Sequence, residues 1–182
     1  MDQSLITKRI IANAFKLLMQ KESFIKISVS DIMKNADMRR QTFYYHFQDK
    51  YELLEWIFKT ESKENISDLI GYERWDIILK QIFVYFDREQ KFYKNALAVS
   101  EQNQFIEYLY SNLKSLFSRA LSDIHHPTEV TFNENNNLIS SFLSHGLVGV
   151  IKDWIQSGCQ IPPEEMAEYM SRDLLNKMHD KE

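Results

Sequence analysis

Cysteine, proline and glycine are scarce in this chain. Its 182 residues contain one Cys, three Pro and four Gly, and no run approaches the roughly 18 uninterrupted apolar residues of a membrane-spanning helix. The single Cys159 excludes an intramolecular disulfide and a cysteine cluster for zinc or iron, so we interpret it as a small, semi-buried apolar side chain. The start, Met1-Asp2-Gln3-Ser4, lacks the basic and apolar blocks of a signal peptide, and we therefore expect a cytoplasmic protein without a membrane partner.

Apolar side chains recur at intervals of three and four residues, which is typical of amphipathic helices. With 44% hydrophobic and 26% charged residues, the chain is long enough to bury a sizeable core. We predict an all-α fold of about nine helices. Their expected positions are Ser4 to about Lys21, a short helix after Ser28, a third to about Phe47, a fourth from Asp49 towards Ile70, and about 75–87, 88–100, 102–122, 134–157 and 163–178.

Capping residues mark several helix ends. Ser4 and Asp49 are expected N-caps. The Ser28 hydroxyl can accept hydrogen bonds from amides near Asp31, whose charge also suits the first turn of a helix. Gly71 and Gly158 are expected to follow helix ends, because glycine readily adopts the conformation needed there.

Charge is distributed unevenly. The chain has a net charge of −4, but residues 1–50 contain nine Lys or Arg against five Asp or Glu, a net of +4, which leaves 13 against 21, a net of −8, for the remainder. A basic end is a candidate footprint for DNA phosphate, although many acidic proteins have one without binding DNA.

The first 50 residues have the layout of a helix-turn-helix. Only Asp37 and Met38 separate the second and third helices, which leaves room for a tight turn. Phe43 and Phe47 are four residues apart and share a face that we assign to the core. The remaining faces carry side chains that hydrogen-bond to base edges and phosphates, namely Arg39, Arg40, Gln41, Thr42, Tyr44, Tyr45 and His46. The alternative is an ordinary solvated surface.

From about residue 5 to 55 the sequence resembles the TetR/AcrR family of bacterial regulators. Thr42-Phe43-Tyr44-Tyr45-His46-Phe47, then Lys50 and Leu53-Leu54, match the family's Thr-Phe-Tyr-x-x-Phe helix, Lys and Leu pair. The resemblance implies a three-helix DNA-binding domain at 1–48 and a helical ligand and dimerisation domain at 49–182. It implies DNA contacts for Arg40, Gln41, Thr42, Tyr44, Tyr45 and His46, with Lys50, Ser28 and Ser30 touching phosphate.

Two residues depart from the family pattern. Asp37 stands where the family usually has the turn Gly, and Arg39 stands where it usually has a capping Ser. Because Arg cannot accept a hydrogen bond, we expect Asp37 to cap the third helix and Arg39 to be available to DNA. These departures leave the exact register of base contacts open.

The C-terminal part is similar to a narrower subgroup. Asp87–Lys94 and Gly146–Trp154 look like the corresponding segments of regulators of dihydroxyacetone kinase genes. This resemblance implies that an accessory sugar-binding protein could be the sensor, in place of a directly bound small molecule, and that the outcome could be activation rather than repression.

A wide apolar stripe on the eighth helix favours a homodimer that reads a palindromic operator. In the family two copies pair through the last two helices, and Gly146 and Gly149 would permit close approach. The expected interface is Phe142, Gly146, Gly149, Val150, Trp154, Met166 and Met170. The alternative is that this helix is the central core helix of a monomer.

Aromatic residues are concentrated in the middle of the chain, where the family encloses an effector. We expect a pocket there as readily as an ordinary core, with candidate lining residues Trp75, Phe83, Phe86, Tyr93, Phe105 and Tyr108. We interpret His125-His126 as a solvated loop rather than a metal site and expect no metal or cofactor.

An enzyme is not expected, because the sequence has no Gly-rich phosphate loop, nucleophile elbow or metal-ligand spacing. The predicted function is operator binding by a dimer under the control of a small molecule or partner protein. The competing hypothesis is a helical protein-interaction module that keeps the fold without binding an operator.

Overall fold

The computed structural model describes residues 3–65, 75–98, 104–124 and 131–179. These ranges contain nine α-helices and no strand. The helices are α1 (Gln3–Met19), α2 (Val29–Asn35), α3 (Arg40–His46), α4 (Lys50–Asn65), α5 (Trp75–Arg88), α6 (Gln90–Leu97), α7 (Gln104–Ile124), α8 (Thr131–Ser157) and α9 (Pro163–His179). None of the helices in these ranges has the length and apolar content required to cross a membrane.

The helical periodicity predicted these elements well. The all-α prediction is confirmed, and the observed helices follow the expected order with small shifts at their ends. The cap predicted at Ser4 is wrong, because α1 already includes that residue. The cap at Asp49 is confirmed, since its Oδ1 accepts hydrogen bonds from the amides of Tyr51 and Glu52 at 2.8 Å each. Gly71 and His125-His126 lie outside the described residues.

Contacts divide the chain into two compact units. The first consists of the described parts of residues 1–60 and 91–105. In it α2 packs on α1 and α3, and Nδ2 of Asn35 donates to the carbonyl of Ala14, 3.0 Å away. The buried ring of Phe58 stacks on Tyr93 with centroids 5.6 Å apart. Helix α6, although distant in sequence, therefore contributes to the core of this unit.

The second unit comprises the described parts of residues 61–90 and 106–182. Helix α5 packs along α9 and against α8. The ring of Trp154 meets Phe83 edge to face at 5.2 Å, and its Nε1 donates to the carbonyl of Ile161 at 2.9 Å. The division at residue 48 drawn from the sequence is one of function, and it stays a prediction.

Candidate DNA-binding interface

Two phenylalanines anchor the recognition helix α3. Phe43 is completely buried and Phe47 is 2% exposed. Their rings lie 5.6 Å apart, and Phe47 also meets Trp56 of α4 edge to face at 5.9 Å. The spacing of four residues placed both rings on one face, as predicted. This apolar face fixes which way the rest of α3 points.

The opposite side of α3 is exposed and rich in hydrogen-bond donors. Arg39, Arg40 and Gln41 are exposed, as are Tyr44 and Tyr45, with 50% and 83% of their surface accessible. Thr42 and His46 are half-buried. Tyr45, 83% exposed on a seven-residue helix, presents both its ring and its hydroxyl to a ligand.

Arg40 and Tyr44 form a pair on this surface. The guanidinium Nη2 of Arg40 donates to the Tyr44 hydroxyl at 2.9 Å and lies over the ring, 5.5 Å from Cζ to the centroid. The pair spans one helical turn, so it restricts both side chains before any ligand arrives. Such restriction lowers the entropy lost on binding.

The turn before α3 is closed by backbone bonds. The amide of Met38 donates to the carbonyl of Met33 at 2.9 Å and that of Asp37 to Lys34 at 3.3 Å, which is a Schellman motif ending α2. Asp37 adopts a left-handed φ of +52°. The prediction that Asp37 caps α3 is wrong. The N-cap position is Arg39, with no side-chain cap bond, and the amide of Thr42 bonds to the Arg39 carbonyl instead.

The start of α2 carries the capping box predicted around Ser28. The Ser28 Oγ accepts from the amide of Asp31 at 3.2 Å and donates to its carboxylate at 2.5 Å, while the Ser28 amide donates to the same carboxylate at 2.9 Å. The hydrogen bond from the Ser28 side chain holds the pKa of Asp31 below its usual value. Ser28 and Ser30 are both exposed, and their phosphate contacts stay predictions; at Ser28 the bond from the hydroxyl to Asp31 competes with such a contact.

Lys50 is already engaged within the chain. Its Nζ lies 2.7 Å from the carbonyl oxygen of Phe24, 3.2 Å from that of Ile25 and 2.8 Å from that of Ile27. The same ammonium lies 4.5 Å from the centroid of the Phe24 ring. Burial lowers the pKa of this lysine. The phosphate contact implied for Lys50 stays a prediction, and these three bonds compete with it.

Asn95 of α6 is a residue that the sequence did not single out. Its Nδ2 donates to the carbonyls of Met19, at 2.9 Å, and Glu22, and its Oδ1 accepts from the amide of Phe24 at 2.9 Å. It thus satisfies backbone groups at the end of α1 and in the connection that follows. No local signal marks it, because its partners lie more than 70 positions away in sequence.

The candidate effector residues are not gathered into one described cavity. Phe83 and Phe86 are buried in the second unit, whereas Tyr93 is buried in the first. The side chains of Trp75 and Phe105 lie outside the described ones, and Tyr108 is half-buried on α7. A surface groove of 380 Å³ instead lies between α7 and α8, lined by Ile106, Glu107, Tyr110, His145, Val148, Gly149 and Lys152.

The candidate dimer residues separate into exposed and buried groups. Phe142 is 76% exposed, and a Cβ added at Gly146 or Gly149 would meet nothing within 4 Å. Val150 and Met170 are half-buried. Trp154 and Met166 are 4% and 6% exposed, because they pack inside their own unit, and we remove them from the proposed interface.

No group of three or more His, Cys, Asp or Glu in the described ranges could hold a metal ion. His145 packs instead against the ring of Tyr110, with centroids 4.2 Å apart.

Comparison with known proteins agrees with this architecture. Residues 10–57 match the family model described as bacterial regulatory proteins, tetR family, and residues 73–176 match that of a transcriptional regulator C-terminal region of the same family. A solved structure of the dihydroxyacetone kinase operon activator DhaS superposes with a TM-score of 0.80 at 30% identity, over 95% of this chain and 96% of that one.

Two curated relatives are also regulators. The HTH-type dhaKLM operon transcriptional activator DhaS of Lactococcus lactis subsp. lactis (strain IL1403) is 40% identical over 123 residues, which are 68% of this chain and 65% of the relative. The uncharacterized HTH-type transcriptional regulator YxbF of Bacillus subtilis (strain 168) is 25% identical over 169 residues, 88% of this chain but 42% of that protein. The matches thus span less than two thirds of either relative. With both of its parts matched, the chain belongs to the tetR family of bacterial regulatory proteins.

Proposed function

We propose that the protein binds operator DNA with α3 lying in the major groove. The observation that carries the proposal is the two-sided character of α3, which is anchored by Phe43 and Phe47 and exposes Arg40, Tyr44 and Tyr45. A helix of this kind has the size and donor groups that the major groove accepts.

The exposed side chains suggest a division of roles. Arg40 and Gln41 can form paired hydrogen bonds with guanine and adenine edges, respectively. Hydroxyls of Thr42, Tyr44 and Tyr45 can donate to phosphate oxygens, which fix the position of the helix without reading sequence. Arg39, which caps nothing through its side chain, adds a cation beside them. His46 and Ser30 complete the proposed contact surface.

We infer that two copies pair through the exposed face of α8. Leu138 and Phe142, one turn apart, are 71% and 76% exposed, and open space surrounds Gly146 and Gly149. Large apolar side chains at such exposure favour burial against a partner. Two-fold pairing would place the recognition helices about one DNA turn apart, roughly 34 Å or a little more, on a palindromic site.

The descriptions of the relatives suggest which operon this chain regulates. DhaS proteins are described as activators of a dihydroxyacetone kinase operon. We propose a comparable operon as the target of this chain, with control by a directly bound small molecule or by an accessory sugar-binding protein. Activation is the direction that the relatives' descriptions support.

A mobility-shift titration on labelled fragments from the region upstream of the gene tests DNA binding. The intact protein should retard a palindromic fragment, and its affinity should fall steeply as salt rises. Tyr45→Ala and Gln41→Ala should weaken the shift. Leu17→Ala is the matched control, because it removes a 52% exposed side chain from α1, away from α3.

If the intact protein shifts no upstream fragment, with or without dihydroxyacetone or candidate partner proteins, operator binding is refuted and the protein-interaction module is favoured. If Tyr45→Ala and Leu17→Ala bind equally well, α3 is not the reading element.

A further inference from the structure

We infer that Asn95 is a positioning residue for operator binding, which from α6 holds the end of α1 and the entry to α2 in place. The side chain is not itself a DNA ligand. It acts through the backbone groups of Met19, Glu22 and Phe24, to which it bonds. The consequence for DNA rests on the proposed operator binding, whereas the contacts do not depend on it.

The carboxamide of Asn95 uses both kinds of hydrogen-bonding group that it has. Its Nδ2 donates to the carbonyl of Met19 at 2.9 Å and to that of Glu22, and its Oδ1 accepts from the amide of Phe24 at 2.9 Å. These bonds need two donors and one acceptor on the same short side chain. Aspartate has the same size but lacks the donors, and leucine lacks donors and acceptor alike.

The three backbone groups lie where α1 ends and the chain turns away from it. Met19 is the last residue of α1, and carbonyls in the last turn of a helix have no partner within that helix. Asn95 therefore caps α1 from a position 76 residues away in sequence. The bonds to Glu22 and Phe24 then fix the path of the chain beyond the helix.

Helix α6 is itself anchored, so that Asn95 is a fixed point. Phe92 and Tyr93 are buried, and their rings lie 6.0 and 5.6 Å from the ring of Phe58 in α4, centroid to centroid. Ala96, on the other side of Asn95, is also buried. Because this packing already orders the backbone of α6, only the Asn95 side chain loses freedom when the three bonds form.

Phe24 passes this restraint on to α2. Its ring is buried and lies 5.9 Å from that of Phe15 in α1 and 4.8 Å from that of Tyr51 in α4, centroid to centroid. Packing thus fixes the ring while Asn95 fixes the amide, and the chain reaches the N-cap Ser28 four residues later. Because α2 packs on α3, a shift at the entry to α2 displaces the proposed recognition helix. Binding groups must be held to within roughly 0.5 Å, so a small displacement weakens the contacts.

Three full-length variants test the inference. Asn95→Leu removes all three hydrogen bonds, whereas Asn95→Asp keeps the size and the acceptor but removes the donors and turns a negative charge towards two carbonyls. Asn13→Asp is the matched control, because it makes the same chemical change at an exposed position of α1. Operator affinity is measured by mobility shift and the folded fraction by circular dichroism at the same temperature. Exchange of single backbone amides is followed by NMR without DNA.

Both Asn95 variants should weaken operator binding by roughly five- to tenfold, the order that one hydrogen bond is worth, while the folded fraction stays unchanged. The amide of Phe24 should exchange faster in Asn95→Leu, which removes its acceptor, but should stay protected in Asn95→Asp, which keeps one. A side chain that only fills space would not produce this difference. Asn13→Asp should alter the affinity by less than about twofold, since an exposed charge is screened by salt.

Two results would overturn the inference. If Asn95→Asp binds the operator as tightly as the unmodified protein, the side chain only fills space. If the loss of affinity in both variants equals the loss of folded protein, Asn95 contributes general stability and positions nothing.

An unmodified protein that binds no operator would refute the proposed function, and exchange then decides on the restraint by itself. Faster exchange of the Phe24 amide in Asn95→Leu, with the amides of α3 and α4 unaffected, would support the restraint. Unchanged exchange of that amide would overturn it.

Discussion

Replacement of Asp37 by glycine should stabilise the helix-turn-helix. Asp37 closes the Schellman motif after α2 with φ at +52°, a conformation that the Cβ of an L-residue disfavours. The same hydrogen-bond pattern ends α8, where Cys159 donates to the Trp154 carbonyl at 2.9 Å and Gly158 to that of Ile155 at 3.1 Å. There glycine occupies the position equivalent to Asp37 with φ at +92°, and Cys159, the next residue, also has a positive φ, of +49°. The chain thus contains both solutions to one geometric requirement.

The magnitude follows from two opposing terms. The left-handed conformation costs an L-residue roughly 1–2 kcal/mol, with Asp at the low end because its side chain tolerates this region. Glycine removes that cost but makes the unfolded chain more flexible, which costs about 0.4–1 kcal/mol. We expect Asp37→Gly to raise the free energy of unfolding by about 0.5 kcal/mol, or the melting temperature by roughly 1–2 °C. Asp37→Val should lower it by at least about 1 kcal/mol.

The assay is thermal unfolding followed by far-UV circular dichroism and by tryptophan fluorescence, to which Trp56, packed on Phe47 in the first unit, contributes together with Trp75 and Trp154. Asp37→Asn serves as the control for charge, since asparagine tolerates the same backbone conformation. Gly158→Ala is the reciprocal change. A new Cβ there would meet only Nε2 of Gln90 at 3.8 Å, an ordinary contact, so its destabilisation reports backbone strain alone. If Asp37→Gly is less stable than the unmodified protein, or if Asp37→Val equals it, the strain argument is refuted.

Three further predictions concern the two faces of α3, the capping box of α2 and the exposed face of α8. Tyr45→Ala should change the free energy of unfolding by less than about 0.5 kcal/mol, because the side chain is 83% exposed. Phe43→Ala, in the core, should lower it by about 3–5 kcal/mol. Equal chemical-denaturation midpoints for the two variants would contradict the faces assigned to these side chains. In an NMR titration the Asp31 carboxyl should titrate below 3.8, so the capping box is intact above that pH and lost as pH falls through the lowered pKa. Ser28→Ala should raise that pKa, and an unchanged value would show that the hydroxyl is not its cause. Phe142→Ser should shift sedimentation towards the monomer if α8 forms the dimer, and an unaltered dimer would place the interface elsewhere.

The sequence predicted those features that depend on neighbours within one or two helical turns. Phe43 and Phe47 were assigned to the core because a spacing of four residues places them on one face, and Ser28 was assigned as a cap because Asp31 lies three residues later. Helix order followed from the same periodicity. Such relations are nearly independent of the rest of the fold.

The role of Asp37 could not be derived in the same way. Its side chain can cap a following helix, and its backbone can close a preceding one, and both alternatives involve adjacent residues. The packing of α2 against α3 decides between them, since it sets the backbone angle at the turn. The sequence showed that Asp37 departs from the family pattern, but the role predicted for its side chain, capping of α3, is wrong.

Aromatic composition was similarly ambiguous. A pocket and a core both need large apolar side chains at helical spacing, and periodicity cannot distinguish filled from empty space. Phe83, Phe86 and Tyr93 are all buried, and Tyr93 belongs to a different unit from the two phenylalanines. The groove found between α7 and α8 involves residues such as Tyr110 and His145 that no local pattern connects.

Lys50 and Asn95 show why a boundary at residue 48 can separate the predicted DNA-binding part from the rest without marking a unit that folds on its own. Their side chains bond to backbone groups of Met19 at the end of α1 and of Glu22, Phe24, Ile25 and Ile27 in the connection that precedes α2. A fragment ending at residue 48 would lose these hydrogen bonds to exposed and partly buried groups, together with the packing of Phe58 in α4 on the α6 rings. The helix-turn-helix is therefore local in sequence, but the connection that leads into its first helix, α2, is held by residues outside it.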